Sequence, residues 1–162
     1  MKGKGNDGSG DNQSRDEWQT KQEFWDELNK QYNFGFDCCA DINNKKTEFF
    51  ARDFLTMIPN FDLICWMNPP FSKANIMFER FFKVVKRGVC IFRCDNMETK
   101  IWQDIILPKA TWIFIPKGRI SYTPFDITIR NVMTRFPSAL IGFNVESPKN
   151  IEGTILKCRC EK

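Results

Sequence analysis

Phe61-Asp62-Leu63-Ile64-Cys65-Trp66-Met67-Asn68-Pro69-Pro70-Phe71 is an apolar run that stops on two prolines. From Phe61 to Met67 it has the length of one buried strand. Proline gives no N–H to a ladder and fixes its own φ, and the residue before each proline is held away from helix. The pattern predicts a strand that ends in a stiff loop. In open α/β sheets, ligands bind just outside the carboxyl ends of the strands. Three groups converge there: the Asn68 amide oxygen, the Pro69 carbonyl and the Phe71 ring.

Their chemistry suits an exocyclic amine. An aromatic amino group is planar, its lone pair is delocalised into the ring, and it is a poor nucleophile. Two fixed acceptors on its N–H groups favour a pyramidal nitrogen and stabilise positive charge as it develops. The Phe71 ring offers a face on which a base drawn out of a helix can stack. An NPP[FY] tetrapeptide directly after an apolar strand resembles the catalytic motif of amino-methyltransferases that use S-adenosylmethionine. The same residues also fit an ordinary Pro-Pro turn. The apolar run before them and the amphipathic stretch after them favour the enzyme.

A chain of 162 residues is one domain with room for one sizeable core. Residues 1–15 are Gly, Asn, Asp, Ser and Lys with almost no apolar side chains, which predicts a disordered tail ahead of a folded domain over 16–162. The net charge of +4 permits a polyanionic partner without demanding one. No apolar run approaches the ~20 residues needed to span a bilayer, and the amino end lacks the apolar core of a signal peptide. Seven cysteines without a CxxC pair, and no histidine, argue against a metal site. They read as reduced thiols of an intracellular protein. The missing histidine disfavours the commonest general bases and nucleophilic triads, and methyl transfer to an amine needs neither metal nor histidine.

Along the chain, Phe24, Trp25, Leu28 and Tyr32 have helical spacing, with Thr20 as N-cap and Glu23 as its box partner. Phe34 to Asp41 reads as a short strand running into a turn of small and acidic residues. Asp37 there could accept from a ligand or cap a following helix. Asp53, between that strand and the Pro-Pro strand, fits either a ligand contact or an exposed loop. A helix follows Phe71, with Gly88 as its C-cap, then a strand over 89–92 and a helix from Asn96 to Leu107 closed by Pro108. Strands are predicted over 111–115 and 138–144, with an edge strand at 154–158. Between them, Lys117, Arg119, Arg130 and Arg135 interleave with Tyr122, Phe125 and Phe136. That composition suits phosphate contact and base stacking; it also fits a solvated basic surface.

Several segments, in order, resemble one family, the phage-encoded DNA N6-adenine methyltransferases of the Dam type. DEWQT resembles its W-x-T-P start, FDCCADINN its D-x-A-A-x-x-x-N segment, and FFARDFL its acidic stretch before the catalytic strand. CWMNPPFSK resembles W-x-NPPY-S, IFIPKGRISY the "GR" strand and FPSALIGF the P-S-A-L strand. Lys21 stands where the family usually has proline, and Cys38 and Cys39 replace small residues. The resemblance implies an α/β, Rossmann-like class I methyltransferase fold. Its sheet is mainly parallel and twisted, with an antiparallel strand near the edge and helices on both faces. It implies S-adenosylmethionine as cofactor and a flipped adenine in double-stranded DNA as substrate, in the cytoplasm of a bacterial host. Asn68, Pro69, Pro70 and Phe71 would be catalytic, and Trp18, Thr20, Asp37 and Asp53 would serve the cofactor. Lys117, Arg119, Arg130 and Arg135 would meet DNA, with target preference in loops 95–104 and 116–136. The alternatives are the same chemistry on cytosine N4, RNA or protein glutamine, and an inactive DNA-binding protein.

Overall fold

The computed structural model describes residues 19–59, 62–123 and 136–158. The tail expected at 1–15, Trp18, Arg130 and Arg135 lie outside the described residues.

The order of elements is β1 (Gln19–Thr20), α1 (Gln22–Tyr32), β2 (Phe36–Asp37), β3 (Phe49–Phe50), β4 (Cys65–Met67), α2 (Ala74–Val84) and β5 (Gly88–Arg93). A π-helical segment (Ile101–Ile106) and one α turn (Leu107–Lys109) follow, then β6 (Trp112–Pro116), β7 (Tyr122–Thr123), β8 (Ser138–Phe143) and β9 (Gly153–Cys158). Seven strands make one sheet in the order β3-β2-β4-β5-β8-β6-β9. The pairs from β3 to β5 are parallel. β8 runs antiparallel between β5 and β6, and β9 antiparallel on the outer side of β6. β2 to β6 therefore share one direction, and their carboxyl ends open on one edge. β1 pairs with β7 in a small separate ribbon.

Strand side chains alternate between faces, and that alternation places the two helical layers. Cys65, Met67, Cys90, Phe92, Ile113 and Ile141 pack on one face with Met77, Phe78 and Phe81 of α2 and Trp102 of the π-helical segment. Trp66, Val89, Ile91, Trp112, Phe114 and Leu140 pack on the other with Trp25, Leu28 and Tyr32 of α1. Each such side chain taken fully out of water is worth about 1.5–3 kcal/mol. Apolar faces on both sides are what a parallel sheet covered by helices requires. The result is the Rossmann-like α/β arrangement with helices on both faces.

Four local expectations are corrected. β4 spans only Cys65–Met67; the chain bends at Asp62 and Leu63, where Arg87 Nη2 donates to the Asp62 carbonyl at 2.7 Å. Thr20 does not cap α1, whose N-cap position is Lys21 with no side-chain bond, because Thr20 is held in β1. Gly88 does not cap α2, which ends at Val84 with Val85 extended; it opens β5 instead. A Cβ there would lie 2.6 Å from the Cys65 carbonyl oxygen and 2.8 Å from the Phe81 ring, so the position needs glycine for close packing. Pro108 lies inside the helical turn Leu107–Lys109 and does not end the helix before it; a missing N–H is tolerated in a first turn.

Candidate active site

A cavity of about 410 Å³ opens at the carboxyl ends of β2 and β4. Cys38, Cys39, Ala40 and Asp41 wall it on the β2 side, and Arg52, Asp53 and Phe54 on the β3 side. Asn68, Pro70 and Lys73 close it from the loop after β4, and Met77 from α2. Its volume lies within the ~300–1,000 Å³ of small-molecule sites. Polar groups stand at its mouth and apolar ones deeper, which suits a ligand with a charged end and a flat ring.

The Pro-Pro loop is built as the sequence predicts. Pro70 is extended, with φ −60° and ψ 131°. The Lys73 N–H donates to the Pro70 carbonyl at 3.1 Å and turns the chain through Phe71–Lys73 into α2. Asn68 is half-buried and Pro69 buried. The Phe71 ring is half-buried between the two cores. It meets Phe92 at 6.1 Å and 66° and Phe136 at 5.4 Å and 76°, so neither neighbour stacks flat on it.

The residues nominated for the cofactor divide. Asp53 is exposed on the cavity wall, and its Oδ1 accepts the Leu55 N–H at 3.2 Å. Asp37 is buried beneath the wall and does not line the cavity. Its Oδ1 accepts the Cys39 N–H at 3.2 Å and its Oδ2 the Lys46 N–H at 3.0 Å, so it pins both ends of the loop that leaves β2. Burial pushes its pKa up to about 7, against the two N–H bonds and the Lys46 charge that pull it down. Burial likewise pushes up the thiols of Cys38 and Cys39, which line the cavity. Thr20 is buried in β1, away from the cavity lining, and its hydroxyl has no hydrogen-bond partner among the described residues.

Of the basic residues nominated for DNA, Lys117 and Arg119 are exposed in the loop after β6 and line a groove of about 390 Å³ that also includes Lys21, Glu23 and Glu152. Lys117 pairs with Glu152 at 3.0 Å. The structure thus brings Asp53, Asn68 and Pro70 to one cavity, and Lys117 and Arg119 to a separate groove.

Sequence reasoning missed Asp41, Asn44 and Arg52, which also line the cavity. Asp41 and Asn44 fix one another: the Asp41 carboxylate accepts the Asn43 and Asn44 N–H groups at 2.7 and 3.2 Å, and the Asn44 amide oxygen accepts the Asp41 N–H at 2.8 Å. The D-x-x-N spacing was the available signal, since Asp and Asn close turns on their own backbone.

An open α/β sheet with helices on both faces, and an Asn-Pro-Pro-Phe loop beside a polar-mouthed cavity, defines the class of amine methyltransferases. A family model described as DNA N-6-adenine-methyltransferase (Dam) matches residues 8–151, and the chain belongs to that family. It is a DNA adenine-N6 methyltransferase. No curated protein matches the chain. Among the described residues, no helix is long and apolar enough to cross a membrane, and no group of three His, Cys, Asp or Glu side chains is placed to hold a metal ion.

Proposed function

We propose that the chain methylates the N6 amine of an adenine flipped out of double-stranded DNA, with S-adenosylmethionine as donor. The observation that carries this reading is that Asp53 and Asn68, from segments either side of β4, line one cavity. The cavity fits the donor. Its carboxylates at Asp41 and Asp53 and the Asn44 amide match an ammonium and ribose hydroxyls, and Phe54 and Met77 match an apolar ring. Small side chains at Cys38, Cys39 and Ala40 let backbone approach closely. When bound, S-adenosylmethionine supplies a sulfonium methyl that is already an activated electrophile.

The chain's own groups do the rest. The Asn68 amide oxygen and the Pro69 carbonyl accept the two N6 N–H bonds and aim the nitrogen lone pair. Pro70 keeps that loop stiff, and Phe71 stacks on the extruded ring. Asp53 holds the donor directly, and Asp37 acts through the loop it pins. Trp18 and Thr20 are assigned to the donor's side only by their match to the family's W-x-T segment, since Thr20 stands away from the cavity lining. Lys117, Arg119, Arg130 and Arg135 meet phosphates. The free thiols of Cys38, Cys39, Cys65, Cys90 and Cys94 suit the reducing cytoplasm of a bacterial host.

The test is transfer of tritium from labelled donor to DNA, RNA and protein in parallel. Label in N6-methyladenine of duplex DNA is expected; label in cytosine, RNA or protein instead would overturn the reading. Asn68→Ala should lose about 10²–10³ in turnover while donor binding survives.

A further inference from the structure

Phe71 is the end of a chain of contacts that starts at the carboxyl end of β5. Arg93 closes that strand, and its backbone is fixed twice: its carbonyl accepts from Trp102 Nε1 at 3.1 Å, and the next N–H, on Cys94, donates to the Pro137 carbonyl at 2.9 Å. Its guanidinium makes a two-pronged bond to Asp95, Nε to Oδ1 at 2.7 Å and Nη2 to Oδ2 at 2.6 Å. The pair is partly open to solvent, with 22% and 33% of the two side chains exposed. Held this way, the guanidinium lies over the Phe136 ring at 4.7 Å. Phe136 is buried, touches Tyr122 at 6.0 Å, and meets Phe71 near a right angle. The Tyr122 hydroxyl is in turn bonded to Ser138 Oγ at 2.9 Å.

A ring that is half-buried and met at a steep angle by both its neighbours has its plane set by them. Phe92 belongs to the core below and moves little. Phe136 reaches Phe71 from the other layer, and a cation held in the plane of a carboxylate fixes Phe136. We propose that Arg93 and Asp95 are positioning residues for methyl transfer: through Phe136 they set the plane of Phe71 against which the extruded adenine stacks. This rests on the reading of Phe71 as the stacking face.

Arg93→Lys keeps the charge but cannot bond a carboxylate two-pronged or lie flat on a ring. The experiment measures Arg93→Lys alone and in a Phe71→Ala background, with 2-aminopurine at the target position of a duplex whose methylated site has first been mapped. Read out are the fluorescence rise on extrusion, kcat, and the Kd for S-adenosylmethionine. Alone, Arg93→Lys should lower kcat by about tenfold, the scale of one lost aromatic contact, and cut the fluorescence rise, with Kd for S-adenosylmethionine unchanged. With Phe71 already removed it should add no further loss. An equal loss in both backgrounds, or parent-level kcat and fluorescence in Arg93→Lys, overturns the proposal. Phe71→Ala with full fluorescence and turnover removes the premise instead. Asp95→Asn carries the same cycle if Arg93→Lys does not fold. Failure of both to fold makes the pair purely structural and overturns the proposal as well.

Discussion

Asp37 is a carboxyl group that folding works to keep protonated. Its pKa moves from 3.8 to about 7 on burial. Between those values the folded chain holds a proton that the unfolded chain has released, so stability falls as pH rises from about 4 to 7 and levels off above. Asp37→Asn removes the titration. Urea unfolding at pH 5, 6, 7 and 8 should then show a flatter dependence, by close to 1.4 kcal/mol per pH unit at most. Equal slopes for parent and variant would show that the group does not titrate in this window. The stiff loop after β4 was legible in the sequence because two prolines carry their own backbone constraint. The anchoring role of Asp37 was not, because one of its partners is a backbone N–H nine residues on, at Lys46, and no spacing rule announces that bond.

Glycines separate what an element needs from what a turn needs. A Cβ on Gly142 of β8 would sit 1.9 Å from the Trp112 indole, which cannot retreat because its Nε1 donates to the Val145 carbonyl at 2.7 Å. Gly142→Ala should cost about 1–3 kcal/mol by overpacking, with a matching fall in the urea midpoint. Gly118, in the loop after β6, has φ +82° and open space around it. Gly118→Ala should cost about 1–2 kcal/mol through backbone strain alone. A neutral Gly142→Ala would mean that β8 can slide away from β6. The strands themselves were readable as apolar runs. Gly88 was misread because a glycine that ends a helix and one that lets a strand lie close look alike beside basic residues. Arg93 was not singled out, since its ring partner Phe136 lies 43 positions away.

At the scale of the molecule, the cavity lies at the carboxyl ends of β2 and β4, and the groove with Lys117 and Arg119, proposed to meet DNA, lies at the carboxyl end of β6. A double Lys117→Ala, Arg119→Ala variant should therefore flatten the log–log salt dependence of DNA binding by up to about two units. Filter binding between low and moderate salt reads this directly. An unchanged slope would leave Lys117 as the partner of Glu152 only. The helices were legible from apolar residues at helical spacing, and helices on both faces from the family resemblance; the division into two cores was not. The order of the strands was not, because pairing depends on which edges the connections can reach.

That order sets a schedule for the chain as it is made. Both neighbours of β6 in the main sheet, β8 and β9, follow it in sequence. β2 to β5 can pair in parallel as soon as they leave the ribosome. Trp112–Pro116 emerges with no strand yet synthesised that it can join, and stays an apolar segment seeking cover until residues 138–158 arrive. At about 5–20 residues per second that is a wait of seconds, long enough for a chaperone or a second nascent chain to bind it. Chains truncated at residue 137 should be cut by protease at 112–116, while chains that carry residues 138–158 should resist there.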